Sequence, residues 1–395
     1  MTKPKDRLHF LDAIRAFAII MMLQGHFVHA LLADVYRDNS NVIYVIWEYF
    51  RGITAPTFFT ITGFVFSYLL LKSKEEGVEN PRVLKGIKRA VKVILWGYFL
   101  RLSLFAIFEG TVNPSFFYVD VLHCIGTSLL LLISIYLIVY QINKTYFLTT
   151  LLCLGLVIFL LEPVYSIWNL EFLPKTVANY FTSKNGSVFT LFPWFGYVCF
   201  GGFMAGLFLK HKNDPKFYKH AILSLSIVGV LLMFCSSPVL MLLHNVTGVV
   251  VFKSVAYNNF LFIRLGNVLI LFSVFVLLKD FLTSKILTNI GKRTLSIYIL
   301  HFFVLYGSWF GLGLNRFFYH QLNVVEIFIG ALFFIISISG IVLYYYKHEK
   351  DLKSYSYTVV KGIRLKINDL ISGLAALLKT NVIIRKYKAI RQTKE

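Results

Sequence analysis

The chain has 395 residues, 57% of them hydrophobic and 15% charged, with a formal net charge of +21. Soluble domains hold roughly 45–50% apolar and about 25% charged residues, so this composition excludes an ordinary soluble domain and describes a polytopic membrane protein. The excess positive charge falls between hydrophobic runs and not on one basic face, which makes it a topology signal and a lipid-headgroup contact; no nucleic-acid partner is expected.

A hydrocarbon core of about 30 Å needs roughly 20 helical residues. Runs of that kind predict an all-α membrane bundle of about ten spans: 9–33, 53–72, 88–108, 119–140, 145–162, 188–209, 220–243, 259–279, 286–309 and 324–346. Alternate connections, beginning with residues 1–7, carry 31 of the 40 Lys and Arg. The opposite connections hold only Arg37, Arg51, Lys175, Lys184, Lys253 and Arg316, while Arg15, Arg101 and Arg264 fall inside spans. The positive-inside rule then places both termini in the cytoplasm. No soluble domain or linker interrupts this pattern, so residues 1–349 read as one membrane domain. Residues 350–395 are a basic tail whose INDLISGLAALL segment is too short to cross, and it is expected to form an amphipathic helix on the cytoplasmic leaflet. The four cysteines, Cys124, Cys153, Cys199 and Cys235, are scattered through apolar runs and suggest neither a disulfide framework nor a metal site.

The first span, LDAIRAFAIIMMLQGHFVHALL, carries Asp12, Arg15, His26 and His29. At 100° per residue these four fall on one side of the helix, with Arg15 and His26 about 16 Å apart along the axis. A charge at the bilayer centre costs roughly 2.5–3.5 kcal/mol on insertion scales, so such a stripe faces a cavity or a partner. One alternative is purely structural: Asp12 pairs with Arg15 at i, i+3 and His26 is a packed, hydrogen-bonded ring.

This helix resembles the opening of the transmembrane acyltransferase superfamily, which includes acyltransferase family three and the heparan-α-glucosaminide N-acetyltransferase-like proteins. The shared pattern is an Arg, ten residues, then a His, here Arg15 and His26. APTFFTITGF (55–64), DVLHCIG (120–126), PWFGYVCFGG (193–202) and GKRTLSIYILH (291–301) follow in the same order, and the PWFG and APTFF segments favour the heparan-glucosaminide-like branch. Ala16 stands where that superfamily usually has Gly, and Thr62 where Ser is common; both keep a small side chain. The resemblance implies an acyl-CoA-dependent O- or N-acyltransferase that moves an acyl group, by default acetyl, from cytoplasmic acyl-CoA to a carbohydrate or glycolipid on the far side. It implies no metal. A multi-pass protein of the cell membrane follows, in the bacterial cytoplasmic membrane by default since nothing suggests organelle targeting.

Within that reading Arg15, with Lys88, Arg89 and Lys92 at the start of the third span, would hold the CoA phosphates. His26 would act as general base or, in a variant, as a nucleophile. Asp120 and His123, one turn apart, either orient substrate or His26 or form a structural pair, and His301 poses the same choice. Arg101 needs a carboxylate or a polar cavity, and Glu109 and Asp120 are the nearby acids. Gly201, Gly202 and Gly206 suggest close helix packing. A transporter or flippase using the Asp/Arg/His stripe as a relay is the competing function.

Overall fold

The computed structural model describes residues 8–354, 361 and 364–376, and the chain divides into one unit of residues 1–339 and another of residues 340–395. Among the described residues regular structure is helical, apart from the isolated bridges Leu32–Leu322 and Ser103–Trp309. Every one of the expected spans carries a helix: α1 His9–Leu31, α2 Thr54–Leu71, α3 Pro81–Leu100, α4 Val121–Asn143, α5 Phe147–Leu160, α6 Leu191–His211, α7 Phe217–Phe234, α8 Phe260–Leu277, α9 Thr294–Tyr306 and α10 Val324–Lys347. Seven helical stretches are long and apolar enough to cross a membrane by length and composition. The molecule is an all-α, multi-pass membrane bundle.

Three spans differ from their expected bounds, each for a local reason. The third begins at Pro81, seven residues before the expected 88, because Asn80 accepts the Arg82 N–H (2.9 Å) as N-cap and proline occupies the first turn. It stops at Leu100, and a short helix, Leu104–Phe108, follows. The seventh breaks at Cys235 and resumes as Ser236–Thr247. The ninth is cut at Arg293 into Lys285–Lys292 and α9. Residues 1–7 and 377–395, expected in the cytoplasm from the charge pattern, lie outside the described residues.

The core of the first unit is a stack of α2 on α6. A Cβ added to Gly63 would lie 2.0 Å from the Val198 carbonyl oxygen, and one added to Gly201 would lie 2.0 Å from the Thr60 carbonyl oxygen. Only glycine lets the two backbones meet there. Beside this pair, Phe10, Leu11 and Ile14 of α1 pack with Ile61, Phe64 and Tyr68 of α2, Phe208 of α6 and Phe272 of α8. The helix that bears the polar stripe is thus keyed to this backbone contact. α1 also crosses Lys285–Lys292, where the Asp12 backbone lies against Gly291.

In the second unit, residues 364–376 are helical, and Ile367, Leu370, Ile371 and Leu374 are exposed at i, i+3, i+4 and i+7 spacing. That is an apolar stripe on a basic helix.

Candidate active site

Two residues of the α1 stripe, Arg15 and His26, meet α9. At one end the Arg15 guanidinium donates from Nη2 to Thr294 Oγ1 (3.1 Å). Asp12, on the preceding turn, is buried. Eleven residues further on, His26 Nδ1 lies 3.3 Å from His301 Nε2 and 3.3 Å from the Tyr306 hydroxyl. The two imidazoles meet edge to face with centroids 5.2 Å apart, and Tyr306 stands edge-on to His26. His301 is fully buried, and its Nδ1 is hydrogen-bonded to the Tyr298 carbonyl. α9 ends at once after Tyr306, at Gly307 with φ +67°, a left-handed conformation that glycine accepts without the Cβ penalty. The tyrosine therefore stands at the helix terminus beside His26.

These bonds fix the tautomers. A carbonyl only accepts, so His301 Nδ1 is the donor toward Tyr298. In the neutral ring His301 Nε2 then carries a lone pair and accepts from His26 Nδ1–H. His26 Nε2 is left as the unprotonated nitrogen. His26 is half-buried, and among the described residues its Nε2 has no hydrogen-bond partner. Such a nitrogen can take a proton from a hydroxyl or amine that reaches it.

A second polar cluster stands near this centre. Arg101 Nε donates to Asp120 Oδ2 (2.8 Å), Arg101 Nη1 donates to the Ser115 carbonyl (3.0 Å), and the guanidinium lies 5.8 Å from the Tyr118 ring centroid. Of the acids expected near Arg101, Asp120 is the partner and Glu109 is not bonded to it among the described residues. Asp120 also starts α4, and its N–H donates to His123 Nδ1 (3.1 Å). The Asp120–His123 pair is thus a helix cap, with His123 fully buried and edge-on to Tyr98. Replacing Arg101 by Lys keeps the charge but not both hydrogen bonds. We expect a loss of about 1 kcal/mol, one hydrogen bond's worth, read as a lower unfolding temperature in detergent with acyl transfer retained.

The remaining expected residues are dispersed. The His29 side chain is exposed, and its carbonyl accepts from Arg37 Nη2 (2.6 Å). Lys88 and Lys92 line an open, largely apolar groove of about 540 Å³ on α3 with Ile87, Val91, Leu95, Trp96 and Phe99. Arg89, on a neighbouring face, is not among its lining residues. The far end of the groove reaches Phe99, whose carbonyl accepts Trp309 Nε1–H (2.8 Å) just beyond α9. That end of the groove therefore meets the segment that follows α9.

Residues not anticipated from sequence also stand here. The helix Val42–Arg51 lies over α1, with Trp47 Nε1 donating to Gln24 Oε1 (2.8 Å). Arg51 rests on the Trp47 ring (5.5 Å), with its stem 3.4 Å from where a Cβ on Gly25 would lie. Arg264 Nη1 donates to the Tyr49 carbonyl (2.7 Å), seating that helix against α8. In sequence Arg51 is one loop cation and Tyr306 one of 23 tyrosines. Nothing in the sequence singles Tyr306 out.

A multi-pass helical bundle with a hydrogen-bonded imidazole pair between its first and ninth spans defines an integral membrane protein with a polar centre inside its bundle. Its family follows from sequence comparison: the profile of the heparan-alpha-glucosaminide N-acetyltransferase catalytic family matches residues 7–246, more than half of the chain. The chain belongs to that family and is a membrane acetyltransferase. No curated protein matches it. Arg15 and His26 lie within the matched residues, whereas His301 and Tyr306 lie beyond them.

Proposed function

We propose that the protein transfers an acetyl group from acetyl-CoA supplied on the cytoplasmic side to a hydroxyl or amine of a carbohydrate or glycolipid on the opposite side, with His26 as general base. The observation that carries this reading is the His26–His301 contact: with His301 Nδ1 bonded to the Tyr298 carbonyl, the hydrogen between the rings is assigned to His26 Nδ1, which leaves Nε2 as a base. A positioned base of this kind contributes typically 10²–10⁴-fold. The charge asymmetry of the connections supports the sidedness, with Arg15 toward the cytoplasm and His26 toward the far side.

The donor's phosphates are assigned to the basic end of the α3 groove, at Lys88 and Lys92, together with Arg89 and with Arg15, which bonds Thr294 of α9. The apolar run Val91, Leu95 and Phe99 then suits the pantetheine arm, which must extend toward the far side. Arg101, Asp120 and His123 frame that end, and His29 and Asp12 bound the stripe. The helix at 364–376 is assigned to the lipid surface, its exposed leucines and isoleucines inserted among headgroups that its basic residues attract.

The test uses purified protein in proteoliposomes, with labelled acetyl-CoA and a panel of glucosamine-containing acceptors. Wild-type transfer that falls by 10²-fold or more in His26→Ala supports the reading. Equal transfer by both proteins removes His26 from the chemistry.

A further inference from the structure

The same hydrogen-bond chain that fixes His26 leaves a second group without a role, the hydroxyl of Tyr306. It lies 3.3 Å from His26 Nδ1. That nitrogen carries a hydrogen, because His301 Nδ1 is spent on the Tyr298 carbonyl and His301 Nε2 must accept. A nitrogen carrying a hydrogen in the ring plane has no lone pair to receive the Tyr306 proton. The phenol oxygen can share the His26 N–H, but its own O–H is uncommitted, and among the described residues no acceptor for it is found. Tyr306 is half-buried at the terminus of α9, beside the base.

We propose that Tyr306 is the oxyanion donor of the transfer reaction. This rests on the acyl-transfer reading above. The acceptor oxygen or nitrogen attacks the thioester carbonyl carbon as its proton passes to His26 Nε2. The C=O electron pair moves to oxygen, and the resulting oxyanion receives the Tyr306 O–H hydrogen bond. Collapse re-forms the C=O and breaks the C–S bond, and the departing thiolate takes the proton back from His26 Nε2–H. Tyr306 keeps its proton throughout. His26 Nδ1–H keeps its bond to His301, so the second imidazole steadies the transient imidazolium without taking a proton from it. A preorganised neutral donor suits this place: it is strongest toward charge that appears only in the transition state, and it costs no reorganisation when that charge develops.

The experiment compares wild type, Tyr306→Phe and a protein carrying 3-fluorotyrosine at position 306, a phenol of nearly the same shape and a stronger donor. Loss of one oxyanion donor typically lowers kcat by about 10²–10³-fold. The expected result is a fall of that size in Tyr306→Phe with KM for acetyl-CoA unchanged, and a measurable change in kcat with the fluorinated residue. Wild-type kcat in Tyr306→Phe, or a raised KM at constant kcat, overturns the assignment, since the first makes the hydroxyl dispensable and the second makes it a ground-state contact. If Tyr306→Phe does not elute as a monodisperse species, the fluorinated protein decides, and an unchanged kcat there overturns the proposal. Absence of transfer by the wild type with every acceptor fails the parent reading and not the tyrosine alone.

Discussion

Gly63→Val and Gly201→Val are each expected to yield little or no monodisperse protein, and the alanine variants a strongly destabilised one. The reason is backbone and not side-chain crowding. The added Cβ would lie 2.0 Å from a carbonyl oxygen of the facing helix in either case, Val198 for Gly63 and Thr60 for Gly201. No rotamer change relieves that distance, so α2 and α6 must separate. Overpacking typically costs about 1–3 kcal/mol, and a backbone obstacle belongs at or beyond the upper end of that range. The damage does not stay local. Ile61, Phe64 and Tyr68 of α2 are packed with Phe10, Leu11 and Ile14 of α1, so displacing α2 moves the helix that carries Arg15 and His26. Thermal unfolding followed by size-exclusion chromatography in detergent reads the first effect, and residual acetyl transfer by the alanine variants reads the second. Wild-type unfolding temperature in Gly201→Ala would mean that the two helices do not approach as closely as described.

Hydropathy made the bundle legible because apolar runs of membrane length, repeated along a whole chain, are rare outside a bilayer, and α1, α2, α4, α6, α8 and α10 lie near their expected positions. It misplaced α3 because Arg82, Lys85, Lys88, Arg89 and Lys92 depress the average over the first half of that helix, while the capping signal Asn80-Pro81 is invisible to an average. It could not see the break at Arg293, where the helix must let Arg15 reach Thr294. At the site, the α1 stripe was readable because ionisable groups are costly in a span and so stand out. The partnership of His26 with His301 was not, because 275 residues separate them and only the packing of α1 on α9 joins them. Tyr306, Trp47 and Arg51 left no sequence signal: aromatic residues are 17% of the chain, and an arginine beside a span looks like any loop cation. Charge placement predicted a carboxylate for Arg101 but not which of two, a choice made by the cap that Asp120 provides for α4.

His301→Ala is expected to lower kcat by roughly 10²–10³-fold, within the range a general base supplies, while His301→Gln retains activity within about tenfold of wild type. His301 is not among the residues lining the groove proposed for the donor, and its Nε2 bonds His26 Nδ1 and not the free nitrogen, so it is expected to act by positioning. Removing the ring leaves His26 able to rotate or to carry its proton on Nε2, and in that tautomer the nitrogen facing the acceptor is no longer a base. A glutamine carbonyl oxygen falls where Nε2 stood and accepts the same N–H, which is why the amide should preserve what the methyl group loses. KM for acetyl-CoA is expected to stay unchanged in both variants, and added imidazole should restore part of the activity of His301→Ala by occupying the vacated ring site. The site is fully buried, so alanine also leaves a cavity, and a lower unfolding temperature is expected in that variant whatever the catalytic role. The kcat gap between glutamine and alanine, with the rescue, separates positioning from packing. Equal kcat in the two variants, without rescue, would reduce His301 to a packed ring and remove the reason for the His26 tautomer.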